Sequence, residues 1–159
     1  MKTQIKKPKA SIIIVNFNNG KYLGDCINSI LKQSYNNKEI IVVDDKSIDK
    51  SHEVLKKFEK KIITIKNKTK TTEGSYNQIN SYYKGYLKSQ GDYLFFLDSD
   101  DYFKKRKIEL LIKKFKSNKK FDLIFDLPIL KFKNKEIKEN FKQKKFIISS
   151  WPRFTPQSC

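Results

Sequence analysis

Asp98-Ser99-Asp100-Asp101 closes an apolar run, Tyr93-Leu94-Phe95-Phe96-Leu97, and these carboxylates are the side chains best suited to do chemistry. Crowded carboxylates repel, and burying a charge is costly unless it is paired or bound to metal. A buried strand that ends in aspartates therefore predicts a hard-cation site at the carboxyl edge of a sheet. Mg²⁺ or Mn²⁺ held there keeps open positions for substrate phosphates. A second apolar run, Ile40-Ile41-Val42-Val43, ends in Asp44-Asp45. Carboxylates there can accept hydrogen bonds from a base N–H or a ribose hydroxyl. Each cluster has a structural alternative, since an Asp pair also suits a turn and Asp101 also suits the cap of a following helix.

The elements that must position these groups are legible from periodicity. Ser11-Ile12-Ile13-Ile14-Val15 reads as a buried strand, followed by Asn18-Asn19-Gly20 turn chemistry. A helix is predicted over Lys21 to Ser34, with Tyr22, Leu23, Cys26, Ile27, Ile30 and Leu31 at helical spacing. Glu39 to Asp45 is the second strand, Asp49 is placed to cap a short helix through Phe58, and Ile62 to Lys66 is the third strand. A helix from Glu73 to Ser89 carries Tyr76, Ile79, Tyr83, Tyr86 and Leu87 along one face, which is expected to pack into the core. Tyr93 to Leu97 is the fourth strand, and a helix over Lys105 to Lys116 turns Ile108, Leu111, Ile112 and Phe115 inward. Asp122 to Phe132 reads as a fifth strand interrupted at Pro128. Strands alternating with helices imply a mostly parallel α/β sheet, in which ligands bind at the carboxyl ends of the strands. Three stretches follow: a flexible basic terminus over 1–9, an α/β domain over 10–132, and an incomplete, lysine-rich region over 133–159.

The formal net charge is +18, from 35 Lys+Arg against 17 Asp+Glu, and only Arg106 and Arg153 are arginines. Arginine supplies the bidentate contacts that sequence-reading nucleic-acid binders favour, so this lysine excess argues against a specific nucleic-acid partner. Lysine spread over solvated faces is the plain reading; a surface drawn to anionic lipid or a polyanionic substrate is the alternative. The two cysteines, Cys26 and Cys159, form no disulfide framework, and no leader is apparent, which leads us to expect a reducing cytoplasm. No apolar run approaches the ~20 residues of a bilayer span, so contact with a membrane would be peripheral, at its inner face. His52, the only histidine, lies in a charged segment and reads as solvated.

The ordered blocks resemble a known family. Ser11 to Asn18, Lys21-Tyr22-Leu23 and Cys26 to Ser34 are similar to the opening of glycosyltransferase family 2, Glu39 to Asp49 to its second block, and Gly91 to Asp101 to its Asp-x-Asp block. The resemblance implies a GT-A-type (Rossmann-like) fold and inverting transfer of a sugar from a nucleotide-sugar, a UDP-sugar by preference, to a glycan or lipid-linked acceptor in surface polysaccharide synthesis. It implies that Asp45, with Asp44 beside it, reads the base, that Val15 and Phe17 line the nucleotide pocket, and that Asp100, then Asp98 or Asp101, holds Mn²⁺ or Mg²⁺ on the diphosphate. The metal would neutralise charge on the departing nucleoside diphosphate.

The chain departs from the family pattern in three places. Val15 stands where the family usually has proline. Ser81-Tyr82-Tyr83-Lys84-Gly85 stands where the family often has Ala-Arg-Asn-x-Gly, so a positive contact to the donor would come from Lys84 or Lys70. An inverting transfer also needs a base for the acceptor hydroxyl. Asp126 and Glu136 are the only carboxylates near the expected region, neither sits in a matching motif, and no residue is assigned. A nucleotide-binding fragment or remnant without turnover is therefore the alternative. A phospho-receiver domain would also show acidic strand ends, but its acidic pair follows strand one, where this chain has Asn16-Phe17-Asn18.

Overall fold

Four apolar runs pair side by side into one parallel sheet. In a computed structural model they are β1 (Ala10–Asn16), β2 (Lys38–Asp44), β3 (Ile63–Lys66) and β4 (Tyr93–Asp98), in the spatial order β3-β2-β1-β4. The structure describes residues 7–68, 74–117, 122–124, 129–132 and 135–138. Helices join successive strands: α1 (Gly20–Leu31), α2 (Ser51–Phe58) and α3 (Gly74–Lys88), with α4 (Lys107–Ser117) after β4. The chain divides into two compact units, Met1–Lys119 and Lys120–Cys159.

β1 is buried along its whole length because strands pair on both sides of it. Ile12 and Ile14 face the same side as Ile40, Val42, Phe95 and Leu97, and α1, α2 and α4 cover that side with Leu23, Cys26, Ile27, Ile30, Leu55, Ile108 and Ile112. Each fully buried aliphatic side chain contributes about 1.5–3 kcal/mol, so this layer is the main source of stability. Of the residues that periodicity assigned inward in α1 and α4, Leu23, Cys26, Ile27, Ile30, Ile108 and Ile112 are buried, Leu31, Leu111 and Phe115 are half-buried, and Tyr22 is exposed. Gln33, just beyond α1, is buried and joins these helices. Its Nε2 donates to the Lys104 carbonyl (2.8 Å), and its Oε1 accepts from the Ile108 amide (3.2 Å), an orphan donor of the α4 start.

α3 reverses the expectation. Its tyrosine, isoleucine and leucine face points outward, with Ile79 59% and Leu87 63% exposed, while Asn77, Ser81 and Gly85 face the sheet. Gly85 explains the choice. A Cβ added there would sit 2.3 Å from Ile13 Cγ2 and 3.3 Å from Val43 Cγ2, so the helix lies against the β1–β2 face at a distance that only small residues allow.

The second unit also differs from expectation. The strand at its start is β5 (Ile129–Phe132), which pairs antiparallel with β6 (Lys135–Lys138) instead of extending the parallel sheet. The region beginning at 133, read only as lysine-rich, supplies β6. Asp126, Lys70, Trp151 and Cys159 lie outside the described residues, as does the side chain of Glu136.

Candidate functional site

The parallel arrangement puts the carboxyl ends of all four strands on one edge. β1 is flanked by β2 and β4, with Asn16 paired to Asp44 and Val15 to Asp98. The two acidic strand ends are thus one strand apart on either side of β1, about 10 Å by the usual spacing between strands. Among the residues anticipated from sequence, Phe17, Asp44, Asp45, Asp98, Asp100 and Asp101 all fall on this edge. Val15 lies within the buried strand rows and reaches the edge through its carbonyl, which accepts from the Ser99 amide (3.2 Å).

Asp44 and Asp45 do different things. Asp44 is 8% exposed, and its Oδ1 accepts from Asn16 Nδ2 (2.8 Å) and Ser47 Oγ (2.6 Å). Ser47 Oγ also accepts from the Asn18 amide (2.9 Å), while Asn18 Oδ1 accepts from the Ile48 amide (2.9 Å). These bonds stitch the loop after β1 to the loop after β2. Both loops carry a residue in left-handed backbone, Asn18 (φ 53°) and Lys46 (φ 60°), and lysine gains none of the local relief that Asn finds there. Asp45 is half-buried. Its Oδ1 accepts from Asn67 Nδ2 (3.0 Å), and Asn67 sits at the end of β3 on the same edge. Asn67 Nδ2 also donates to Ser81 Oγ (2.7 Å), and Asn67 Oδ1 accepts from Lys84 Nζ (2.7 Å), so Lys84 is tied beside Asp45.

Beyond β4 the chain turns, with the Asp101 amide donating to the Asp98 carbonyl (3.1 Å) and Asn19 Nδ2 donating to Ser99 Oγ (3.1 Å). Ser99 is buried, while Asp100 and Asp101 project to solvent. Desolvation, then the charges of Asp100 and Asp98, push the Asp101 carboxyl above its ordinary range. Asp101 does not cap a helix, because α4 starts only at Lys107. Asp98 is half-buried, and its Oδ1 accepts from Tyr82 Oη (2.6 Å) and Gln78 Nε2 (2.9 Å) on α3. Sequence reasoning assigned Tyr82 no role at this edge and did not single out Gln78, Asn67, Asn16 or Ser47.

Among the described residues no three acidic, histidine or cysteine side chains are grouped closely enough to hold an ion by themselves. The oxygen donors at the Asp98–Asp101 turn nevertheless fit a hard cation that takes its remaining ligands from a diphosphate.

Asp49 braces the other side of the edge. Its Oδ2 accepts from the Gly20 amide (2.8 Å) and its Oδ1 from the Ser51 amide (3.0 Å), which anchors the starts of α1 and α2 together. The residue in the capping position of α2 is Lys50, one further on than expected. His52 is exposed, with its Nδ1 3.3 Å from Lys66 Nζ.

Known proteins are similar to this chain in sequence and fold. A glycosyltransferase of Nostoc sp., itself uncharacterised, is 31% identical over 130 residues, which is 81% of this chain and 39% of that protein. A putative teichuronic acid biosynthesis glycosyltransferase of Bacillus subtilis, TuaG, is 36% identical over 65% of this chain and 40% of its own length. The crystal structure of Staphylococcus aureus TarS residues 1–349 in complex with UDP-GlcNAc superposes with a TM-score of 0.58 at 25% identity, covering 69% of this chain and 31% of that one. The chain thus spans about two fifths of the length of these two relatives. The family model described as "Glycosyl transferase family 2" matches residues 11–156, and the parallel sheet with flanking helices is the GT-A arrangement of TarS; on both counts this chain belongs to glycosyltransferase family 2.

Proposed function

We propose that this chain forms the donor-binding portion of a metal-dependent, inverting glycosyltransferase. The donor is a nucleotide-sugar, with UDP as the nucleotide, and the acceptor is a glycan or lipid-linked glycan of a surface polysaccharide. The observation that carries this reading is the convergence of two acidic strand ends on either side of β1 at one sheet edge. The nucleotide-sugar in the TarS complex and the polysaccharide pathway in the name of TuaG support the choice of substrate class.

The residues divide the work. Asp45, oriented by Asn67, accepts from the base, while Phe17, 49% exposed at the same edge, offers a ring face to it. Asp44 holds the two loops in place. Asp100, with Asp98 or Asp101, would hold Mn²⁺ or Mg²⁺, which when bound supplies positive charge to the leaving diphosphate. Lys84 places an ammonium beside Asp45, within the bond network that includes Asn67. The general base is unassigned. The lysine-rich surface would meet anionic lipid at the inner face of a membrane, where a lipid-linked acceptor is displayed.

Calorimetric titration with UDP tests the reading. Binding should require Mn²⁺ or Mg²⁺ and be lost in Asp100→Ala and Asp45→Ala. Equal UDP affinity with and without metal, unchanged by Asp100→Ala, would overturn it.

A further inference from the structure

α3 reaches the acidic edge with two side chains that the proposed chemistry has not used. Tyr82 Oη donates to Asp98 Oδ1 at 2.6 Å, and Gln78 Nε2 donates to the same oxygen at 2.9 Å. The pair lies one helical turn apart, so both project from one face of α3. The Tyr82 ring is itself fixed, meeting the Phe96 ring edge-on with centroids 5.2 Å apart. Both of these donors fall on Oδ1. We propose that Tyr82 and Gln78 are positioning residues for the cation site: together they fix the rotation of the Asp98 carboxylate and leave Oδ2 as the oxygen offered to a cation-bound diphosphate.

The chemistry of the donors matters as much as their geometry. A lysine or arginine in contact with Asp98 would cancel its charge and compete with a cation. A phenol and a carboxamide orient the carboxylate yet leave its charge intact. The nearby ammonium, Lys84, is engaged by Asn67 instead. Partners that orient a metal ligand from behind typically matter by 10–100-fold in metal affinity.

This inference rests on the proposed donor site, and one titration series separates the two. Tyr82→Phe deletes one oxygen and keeps the ring on Phe96. UDP binding is measured by calorimetry with and without Mn²⁺, beside thermal unfolding. The expected result is a loss of about tenfold in Mn²⁺-dependent UDP affinity, with Tm little changed. Mn²⁺-dependent affinity within twofold of wild type would overturn the inference. A loss of affinity accompanied by a clearly lower Tm would also overturn it, because it marks a merely structural tyrosine. Should Tyr82→Phe fail to fold, Gln78→Leu carries the same comparison with the same outcomes. Failure of the underlying reading is seen differently: the wild-type chain itself then shows no metal-dependent UDP binding.

Discussion

The reversed face of α3 makes a prediction in which the two possible faces differ by several kcal/mol. Ile79 and Leu87 are more than half exposed, although their spacing with Tyr76, Tyr83 and Tyr86 is that of a core stripe. Full burial of such side chains is worth about 1.5–3 kcal/mol. The portion of each that is covered therefore accounts for less than about 1 kcal/mol. Alanine regains a few tenths of a kcal/mol of helix propensity in place of isoleucine. Ile79→Ala and Leu87→Ala should each cost about 0.5 kcal/mol or less, whereas a core position would cost about 2–5 kcal/mol. Gly85→Ala works in the opposite sense. On a solvent-facing position it would stabilise the helix by about 1 kcal/mol. Here its new methyl meets Ile13 Cγ2 at 2.3 Å, and overpacking of about 1–3 kcal/mol should outweigh that gain. Urea unfolding followed by far-ultraviolet circular dichroism reads all three variants. A loss above 2 kcal/mol in Leu87→Ala, or a gain in Gly85→Ala, would mean that the helix presents its other face and that Tyr82 and Gln78 do not reach Asp98.

Two further outcomes follow from other parts of the structure. Burial alone would raise the Glu39 carboxyl, but hydrogen bonds from Lys9, Ser11 and the Gln90 amide hold it below its ordinary range. A carboxyl lowered in the folded state stabilises the protein above its unfolded value, and that contribution is lost as pH falls through the folded one. Wild type should therefore lose more Tm than Glu39→Gln between about pH 5 and pH 3, and parallel acid limbs would refute the assignment. Burial, followed by the charges of Asp101, Asp100 and Asp98, pushes the Cys26 thiol up to about 12. In a Cys159→Ser background, Cys26 should resist a thiol reagent near about pH 8 until the chain is denatured, and rapid labelling of native protein would show that the α1–β4 layer opens.

How much of this was legible in the sequence depends on which physical signal each element carries. β1 and β2 announce themselves, because a strand covered on both faces must be apolar throughout, and β4 does so as an apolar run even though Phe96 is exposed. α1 and α4 do too, because their buried stripes are made of large side chains. α3 does not, because its contact with the sheet is made by close approach, and the residues that permit close approach are small or polar: Asn77, Ser81 and Gly85, four apart. Counting apolar residues selects the wrong face of such a helix. The spacing of small residues, read beside the β-branched Ile13 and Val43, was the signal available. The supporting side chains at the edge were hidden for a related reason. Asn67 could have been found from topology, since it ends β3 on the edge where Asp44 and Asp98 end their strands. Tyr82 could not, because its role depends on which way α3 faces.

The two acidic strand ends follow a common plan. In each, the first aspartate is held through one oxygen by two neutral donors, Asp44 by Asn16 and Ser47, and Asp98 by Tyr82 and Gln78. In each, the carboxylates that follow are less buried: Asp45 after Asp44, and Asp100 and Asp101 after Asp98. Neutral donors fix direction without cancelling charge, so the edge keeps its negative field inside a chain whose net charge is +18. The two fields act over different ranges. Under the proposed function, lysines spread over the surface would attract a polyanionic donor from a distance, on the scale of a Debye length of about 8–10 Å. At contact the aspartates repel the donor's phosphates unless a cation stands between them. Under the proposed function, such an arrangement would admit the anionic ligand only together with its metal, which would account for carboxylates placed where phosphate binds in a chain so rich in lysine.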